Sequence, residues 1–546
     1  MAAGILGIGV TGLNAAQAGI RTTEHNISNI NTAGYRRQEV DFSALRPSYA
    51  GNAGWIGNGV AMDSVRQRYS QFLDNEVLLD QSRLSRHETY SSYASQVDSL
   101  LGKTDSSLMG PINAFFDAAN EVANDPAAGS ARQVLLSAGK SLAGRVNLQE
   151  QSLRQLRDDS NLEISNLATR INNFAGKIAT LNDSVTRLEV GSGQPANDLR
   201  DQRDQLVGEL NKLVNTTTLR DSDGSYNLFI GGGQALVLGN RAYTLSATTD
   251  PNNSDLKIPT LNIGGTPLPL DASLITGGEL GGVLAQRSEV LMPAMSELNR
   301  IAVALGAEVN RIQRGGLQLD AATAGGDFFS SVVQQTSGSS WINASFTGNP
   351  LANENYSVVY NSATTDYTVT RLSDSASGNF AAGAEVTFGG TAQGFTIAAG
   401  TPAPANTNAW NLNFNNYARG MSMLLTSGDQ IAAASATAPT GPGDNRNALA
   451  LAALRVGSTA LNSGNFATAY NSLVGGTAAY TSEAELSRSA YDTLTQQAKA
   501  AQQSVSGVNL DEEAVNLIRY QQAYQAAARA ISVANTLFSE VLAIGR

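Results

Sequence analysis

The chain has 546 residues, enough for three or four domains at the usual size of roughly 150 residues. Its 36 Lys and Arg face 47 Asp and Glu, a formal charge of −11 with only 15% of residues charged, so it lacks the basic stripe that nucleic-acid binding requires. Cysteine is absent and histidine occurs only at His25 and His87, which excludes disulfides, thiol nucleophiles, iron–sulfur centres and Cys/His zinc sites.

Residues 4–30 read as one helix. Leu6, Leu13, Ile20 and Ile27 recur every seven residues with Val10 beside them, a heptad-like apolar stripe. The run Asn29-Ile30-Asn31-Thr32-Ala33-Gly34 then ends it, because Asn and Gly tolerate left-handed backbone. Residues 67–102 look helical with a weaker seam. Ile164, Leu167, Ile171, Phe174, Ile178, Leu181, Val185 and Leu188 alternate three and four apart, a coiled-coil seam best explained as ordinary core packing. Leu199, Leu206 and Leu213 mark a following helix. Leu284, Leu291, Leu298, Leu305 and Ile312 mark another, which Pro293 should kink or interrupt.

Two islands break this pattern. In residues 220–275, Tyr226–Ile230, a Gly231-Gly232-Gly233 turn and Ala235–Leu238 read as a β-hairpin. Residues 331–440 hold only 7 charged side chains, with alternating runs at 356–360, 367–372 and 410–414 that argue for an all-β insert. Residues 478–506 return to helix. The last helix, about 510–543, carries Leu510, Leu517, Tyr524, Ile531 and Phe538 seven apart, and a second seam ending at Leu542. Asp511, Glu512 and Glu513 suit its positive end.

The fold expected is mainly α with β inserts: an elongated multidomain rod with terminal coiled-coil-like helices, a helical-bundle domain and an all-β outer insert. Its parts are 1–34 with 507–546 as the assembly core; 35–219, 276–330 and 441–506 as the bundle; 220–275 as a small β subregion; and 331–440 as the β-rich outer domain. Each terminal helix needs a partner along its stripe, which an adjoining copy can supply. The expected assembly interface is therefore Leu6, Val10, Leu13, Ile20, Ile27, Asn29, Leu510, Leu517, Tyr524, Ile531, Phe538 and Leu542.

Chemistry-bearing motifs are sparse. Gly7-Ile8-Gly9-Val10-Thr11-Gly12 fits G-x-G-x-x-G, but six preceding residues leave no room for the strand a dinucleotide site needs. Small residues that admit a partner helix are the better explanation. Asp221-Ser222-Asp223-Gly224 resembles half a calcium loop and reads as a turn. Asp198, Asp201 and Asp204, interleaved with Arg200 and Arg203, read as a salt-bridged exposed face. His25 and His87 read as solvated or capping groups. No catalytic, cofactor or metal site is expected, and no apolar run approaches the roughly 18 residues of a membrane span. The N-terminus lacks a basic region before its apolar residues, so an ordinary secretory signal is not expected.

The segment from Gly4 to Arg37, above all His25-Asn26-Ile27-Ser28-Asn29-Ile30-Asn31-Thr32-Ala33-Gly34-Tyr35, resembles the N-terminal signature of bacterial flagellar rod, hook and junction proteins. Asn509-Leu510-Asp511-Glu512-Glu513-Ala514-Val515-Asn516-Leu517-Ile518-Arg519-Tyr520-Gln521-Gln522-Ala523-Tyr524 resembles their C-terminal signature, in the version of the hook–filament junction members. Three internal stretches agree, at 197–206, 325–329 and 443–448. The resemblance implies a non-enzymatic, extracellular subunit of the flagellum, exported by the type III route without a cleaved signal. It implies partners as well: copies of itself in a ring or tube, hook protein, a second hook-associated junction protein, and a cytoplasmic export chaperone at the C-terminal region. No nucleic acid or membrane insertion is expected. A hook or distal-rod subunit, or a secreted adhesin using the β insert, are the alternatives.

Overall fold

The computed structural model describes residues 2–49, 54–105, 107–337, 342–346, 354–399, 404–405, 408–438, 440–457 and 464–544, with the side chains of 2–5, 343, 345–346, 541–542 and 544 excepted. Its helices are α1 (Ala2–Ser28), α2 (Gln71–Gly102), α3 (Met109–Asn124), α4 (Gly129–Ser192), α5 (Asn197–Leu213), α6 (Gly278–Gln286), α7 (Met292–Arg314), α8 (Tyr417–Gly420), α9 (Arg446–Ala453), α10 (Phe466–Ser506) and α11 (Leu510–Ile544). The chain divides into two compact units. The first holds 1–90, 161–284 and 485–546; the second holds 91–160 and 285–484.

The first unit is organised on the C-terminal half of α4. Ile164, Leu167, Ile171, Ile178 and Val185 are fully buried, while Leu188 at the helix end is exposed. Each fully buried side chain of this size contributes about 1.5–3 kcal/mol. Three asparagines on the same helix fix β structure to it, because an amide can donate and accept like a strand. Asn172 gives Nδ2–H to the Leu245 carbonyl (2.7 Å) and accepts from Leu245 N–H (2.8 Å). Asn161 does the same for Asp255 and Lys257, and Asn182 for Tyr226 and Gly239. The expected hairpin is present: Phe229 pairs with Ala235 and Ile230 with Gln234, inside a four-stranded antiparallel sheet that begins at Thr217.

One element of this unit was not expected. Residues 38–49 and 54–67, assigned from sequence to the helical bundle, form a β-ribbon. Strand β1 (Gln38–Ala44) and, beyond it, β2 (Ser48–Tyr49), β3 (Trp55–Ile56) and β4 (Val60–Gln67) pair antiparallel as β1–β4 and β2–β3. The reason is steric and local: Val40, Phe42, Val60, Met62 and Val65 are β-branched or bulky residues in alternation, which fit a pleated surface better than a helix.

The second unit packs α3 and α7 around Phe115, Phe116, Phe328, Phe329 and Phe466, all fully or almost fully buried. Pro293 interrupts the expected helix. α6 ends at Gln286, a single π-turn spans Arg287–Leu291, and α7 restarts at Met292 with the proline in its first turn, where its missing N–H is not needed. Most described strands of the second island lie between Val333 and Asn413, in antiparallel sheets of five and three strands, while Ala434–Ser435 pairs with Gly316–Leu317 instead. From Phe414 the chain leaves the sheet and returns to α7, where Asn299 donates to the Phe414 carbonyl at 2.5 Å.

Ile171→Ala removes buried atoms from the α4 seam with no room to collapse. It should lower the stability of the first unit by about 2–5 kcal/mol, read as a shift in denaturant midpoint.

Candidate functional site

The two ends of the chain meet. α1 and α11 run antiparallel, and the contact between them rests on small residues of α1. A Cβ on Gly9 would lie 2.7 Å from Ile531 Cγ1, one on Gly12 3.6 Å from the Ala527 Cβ, and one on Gly19 2.7 Å from the Tyr520 ring. Gly9, Ala16 and Thr23 form one heptad series and Gly12, Gly19 and Asn26 the other. On α11 the series is Glu513, Tyr520, Ala527 and Ala534. The terminal helices therefore find their first partner in each other, within one chain, along a seam whose α1 side is made of small residues, against which Ile531 and Tyr520 of α11 rest.

Most large apolar residues of the two stripes flank it. Leu6, Val10, Leu510, Tyr524 and Phe538 are exposed. Leu13, Ile20, Ile27, Asn29, Leu517 and Ile531 are half-buried, and of these Ile531 reaches Gly9. Leu542 belongs to α11, but its side chain lies outside the described residues. A seven-residue repeat drifts about 20° per heptad on a straight helix, which carries the α1 stripe from exposed Leu6 towards the seam at Ile27.

At the other end of the pair sits Asn26, almost wholly buried. Its Nδ2 donates to the Gln38 carbonyl (2.9 Å) and Glu513 Oε2 (3.0 Å); its Oδ1 accepts from Gln38 N–H (2.9 Å) and the Tyr35 hydroxyl (2.7 Å). All four positions of the amide are used. Burial, then Asp198, Asp201 and Glu513, pushes the Tyr35 hydroxyl up, so it stays a donor; its oxygen contacts His25 Nδ1 at 3.0 Å. Buried Glu513 also accepts from Arg37 Nε (2.7 Å), and Arg37 Nη1 reaches Glu512 (2.5 Å). Asn509 caps α11 by accepting from Asp511 N–H at 2.9 Å.

Arg36 points the other way. Its guanidinium bonds Asp204 and, at 2.9 Å, Asp74; its backbone N–H donates to Asp201 Oδ2 at 3.2 Å. Gln67 Nε2 donates to Asp201 Oδ1 (2.7 Å), and Gln38 Nε2 to Asp198 Oδ1 (2.9 Å). This corrects the expectation of a self-paired exposed face on α5. Asp201 and Arg203 are buried. Arg200 bonds Glu189 instead, and Arg203 stacks 3.6 Å over the Tyr226 ring and donates to the Gly224 carbonyl. The donors that receive these carboxylates come from residues 36–38 and 67, which helical spacing on α5 cannot locate.

The remaining motifs are structural. Asp221 and Asp223 accept from the backbone N–H groups of Ser222 and Ser225. His87 stacks on Tyr491. Asn310 holds the backbone of Phe328 and Phe329, and Asp444 pairs with Arg446 while accepting from Ser435 N–H. Among the described residues no group of His, Asp and Glu could hold a metal ion, and no helix is long and apolar enough to cross a membrane. Arg36, Arg37, Gln38 and Gln67 were missed from sequence; the adjacent arginines after the Gly34 turn were the available signal.

Asn26→Asp is isosteric yet removes two donors and sets a second carboxylate against Glu513. It should release α1 from α11, read as loss of amide hydrogen-exchange protection in residues 6–28, with about 1–3 kcal/mol lost for each buried group left unpaired. Burial, reinforced by Asp204 and Asp198 and opposed by Arg36, pushes the Asp201 carboxyl up to about 7. The folded chain then keeps a proton that the unfolded chain releases near pH about 4. That contribution is full below this pH and is lost as pH rises through about 7. The stability of the wild type relative to Asp201→Asn should fall across that window in urea titrations, and a flat difference would refute the assignment.

A family model described as "Flagellar hook-associated protein FlgK helical domain" matches residues 94–329, and one described as "Flagellar basal body rod FlgEFG protein C-terminal" matches 501–544. Flagellar hook-associated protein 1 of Salmonella typhimurium strain LT2 is 34% identical, over 98% of each chain. That of Escherichia coli K12 is 33% identical over 98% of each, and that of Bacillus subtilis 168 is 24% identical over 97% of this chain and 96% of its own. The solved structure of the flagellar hook junction protein FlgK from Burkholderia pseudomallei shares the fold, with a TM-score of 0.62 at 23% identity over 79% of this chain and 100% of that one. Identity of this level along the whole length establishes that the chain belongs to the flagellar hook-associated protein 1 family.

Proposed function

We propose that the chain is a non-enzymatic structural subunit of the bacterial flagellum that joins hook to filament. It assembles at the distal hook end through the α1–α11 pair. One observation carries the reading: small residues of α1 close this pair, while Leu6, Val10, Leu510, Tyr524 and Phe538 stay exposed along it. A chain that closes its helix pair without these large apolar residues has them available for neighbours, and exposed apolar stripes of this kind mark interaction surfaces. Leu13, Ile20, Ile27, Asn29, Leu517, Ile531 and Leu542 extend the same interface. The names of its relatives support the hook–filament junction as the place.

In this reading 1–34 and 507–546 form a coiled-coil-like assembly core, 35–219 (apart from the β-ribbon strands β1 to β4), 276–330 and 441–506 the helical bundle, and 331–440 an outer β-rich domain, with 220–275 a small β subregion. The partners are copies of itself in a ring or tube, hook protein and the second hook-associated junction protein, with an export chaperone holding the C-terminal region in the cytoplasm. The subunit acts outside the cell, after type III export. A chain without cysteine suits passage as an unfolded thread.

Leu517→Pro removes an α11 hydrogen bond and clashes with the preceding turn. Cells carrying it should export the subunit but build hooks that lack it and no filament, scored by electron microscopy and immunolabelling of hook tips. Normal filaments on labelled junctions would sink the reading.

A further inference from the structure

The β-ribbon carries apolar surface that the fold does not use. At its outer end Tyr49 and Trp55 face each other across β2 and β3, ring centroids 5.5 Å apart, yet remain 68% and 70% exposed, with Ile56 exposed beside them. A single exposed aromatic is unremarkable, but a paired Tyr and Trp at the end of a projecting ribbon is the composition of an interface anchor.

Its position is defined by two fixings on α1. Gln38 is bonded to Asn26 at the inner end of the ribbon. Further out, Val60 N–H lies 3.4 Å from Thr11 Oγ1, and a Cβ on Gly59, whose φ is +106°, would lie 2.1 Å from that same Thr11 Oγ1, so glycine fits there where ribbon and helix touch. Six strand steps at about 3.3 Å cover nearly the same length as the fifteen helical residues from Asn26 to Thr11 at about 1.5 Å. The ribbon therefore follows α1 towards its N-terminus, and β2 and β3 continue beyond Gly59, away from the Asn26 end.

At the Asn26 end lies an open concavity of about 460 Å³, lined by Arg37, Glu39, Arg68, Asp511, Glu512 and Val515. Val515 and Ile518 are exposed there. Arg37 and Arg68 are each engaged with carboxylates, Arg37 with Glu512 and Glu513 and Arg68 with Glu39; Asp511 is in no ion pair among the described residues. Arg46, near the aromatic end of the ribbon, is likewise in no ion pair among the described residues.

We propose that the Tyr49–Trp55 end of the ribbon docks into the concavity at the start of α11 of a second copy of this chain, with Arg46 meeting that copy's Asp511. The surface and its receptor lie towards opposite ends of the α1–α11 pair, so the contact is heterologous, the kind that repeats into a ring or helical tube. The inference rests on the assembly role proposed above and adds which surfaces meet.

The chain has no cysteine, so introduced thiols report only on themselves. Flagella isolated from cells making the Trp55→Cys/Val515→Cys chain should, on mild oxidation, give a ladder of cross-linked multimers of this chain, with neither single variant doing so. Arg46→Asp should shrink swimming zones, and Arg46→Asp/Asp511→Arg should restore them. Subunits present in flagella with no ladder overturn the docking while leaving the assembly role intact. So does a cross-link from position 55 to a different flagellar protein, or multimers from Trp55→Cys alone. Absence of the unaltered chain from isolated flagella overturns both.

Discussion

A single buried amide holds the functional end of this molecule together. Asn26 sits where α1, α11 and the first strand of the ribbon converge, and its four donor and acceptor positions are taken by the Gln38 backbone (two), Glu513 and the Tyr35 hydroxyl. Buried polar groups cost little when fully bonded and a great deal when left open, so such a node permits one arrangement of its partners and penalises others. The two arginines that follow the Gly34 turn extend the constraint in opposite directions. Arg37 ties the start of α11 to the node, and Arg36 ties the same short segment to α2 and α5. The orientation of the terminal pair on the first unit thus depends on charge-assisted bonds in a segment of a few residues rather than on a broad apolar core.

That arrangement separates two tasks that a heptad pattern usually combines. In a simple coiled coil, the large apolar residues both join the helices and define the seam. Here glycines of α1 let Tyr520, Ala527 and Ile531 of α11 approach at close range, and Leu6, Val10, Leu510, Tyr524 and Phe538 lie on the flanks, where a single chain leaves them exposed.

The same separation explains what the sequence disclosed. Helix existence was legible wherever apolar periodicity was strong, as at 164–188, where five of the eight seam residues are core and Leu188 at the end is exposed. The hairpin about Gly231–Gly233 was legible from its turn, and the break at Pro293 from ring geometry. The α1–α11 seam was not, because small residues carry little hydropathy signal and their heptad series lies beside the conspicuous one. The ribbon was hidden by its position between two long helices. The acidic face of α5 was misread because its partners, Arg36, Gln38 and Gln67, lie 134 to 168 residues away, and spacing along one helix carries no information about them. The resemblance to flagellar axial proteins, by contrast, rested on the residues that build this node, so family membership was legible where its physical cause was not.

The glycine-built seam also bears on how such a subunit can diverge. A side chain at position 9 or 19 would have to displace Ile531 or Tyr520, so these positions are constrained by the pairing. The flanking leucines, tyrosine and phenylalanine keep much of their surface exposed in their own chain. A lineage whose hook or filament proteins drift can therefore recut the outward faces of α1 and α11 one residue at a time, while the internal pairing that makes the subunit foldable is inherited unaltered.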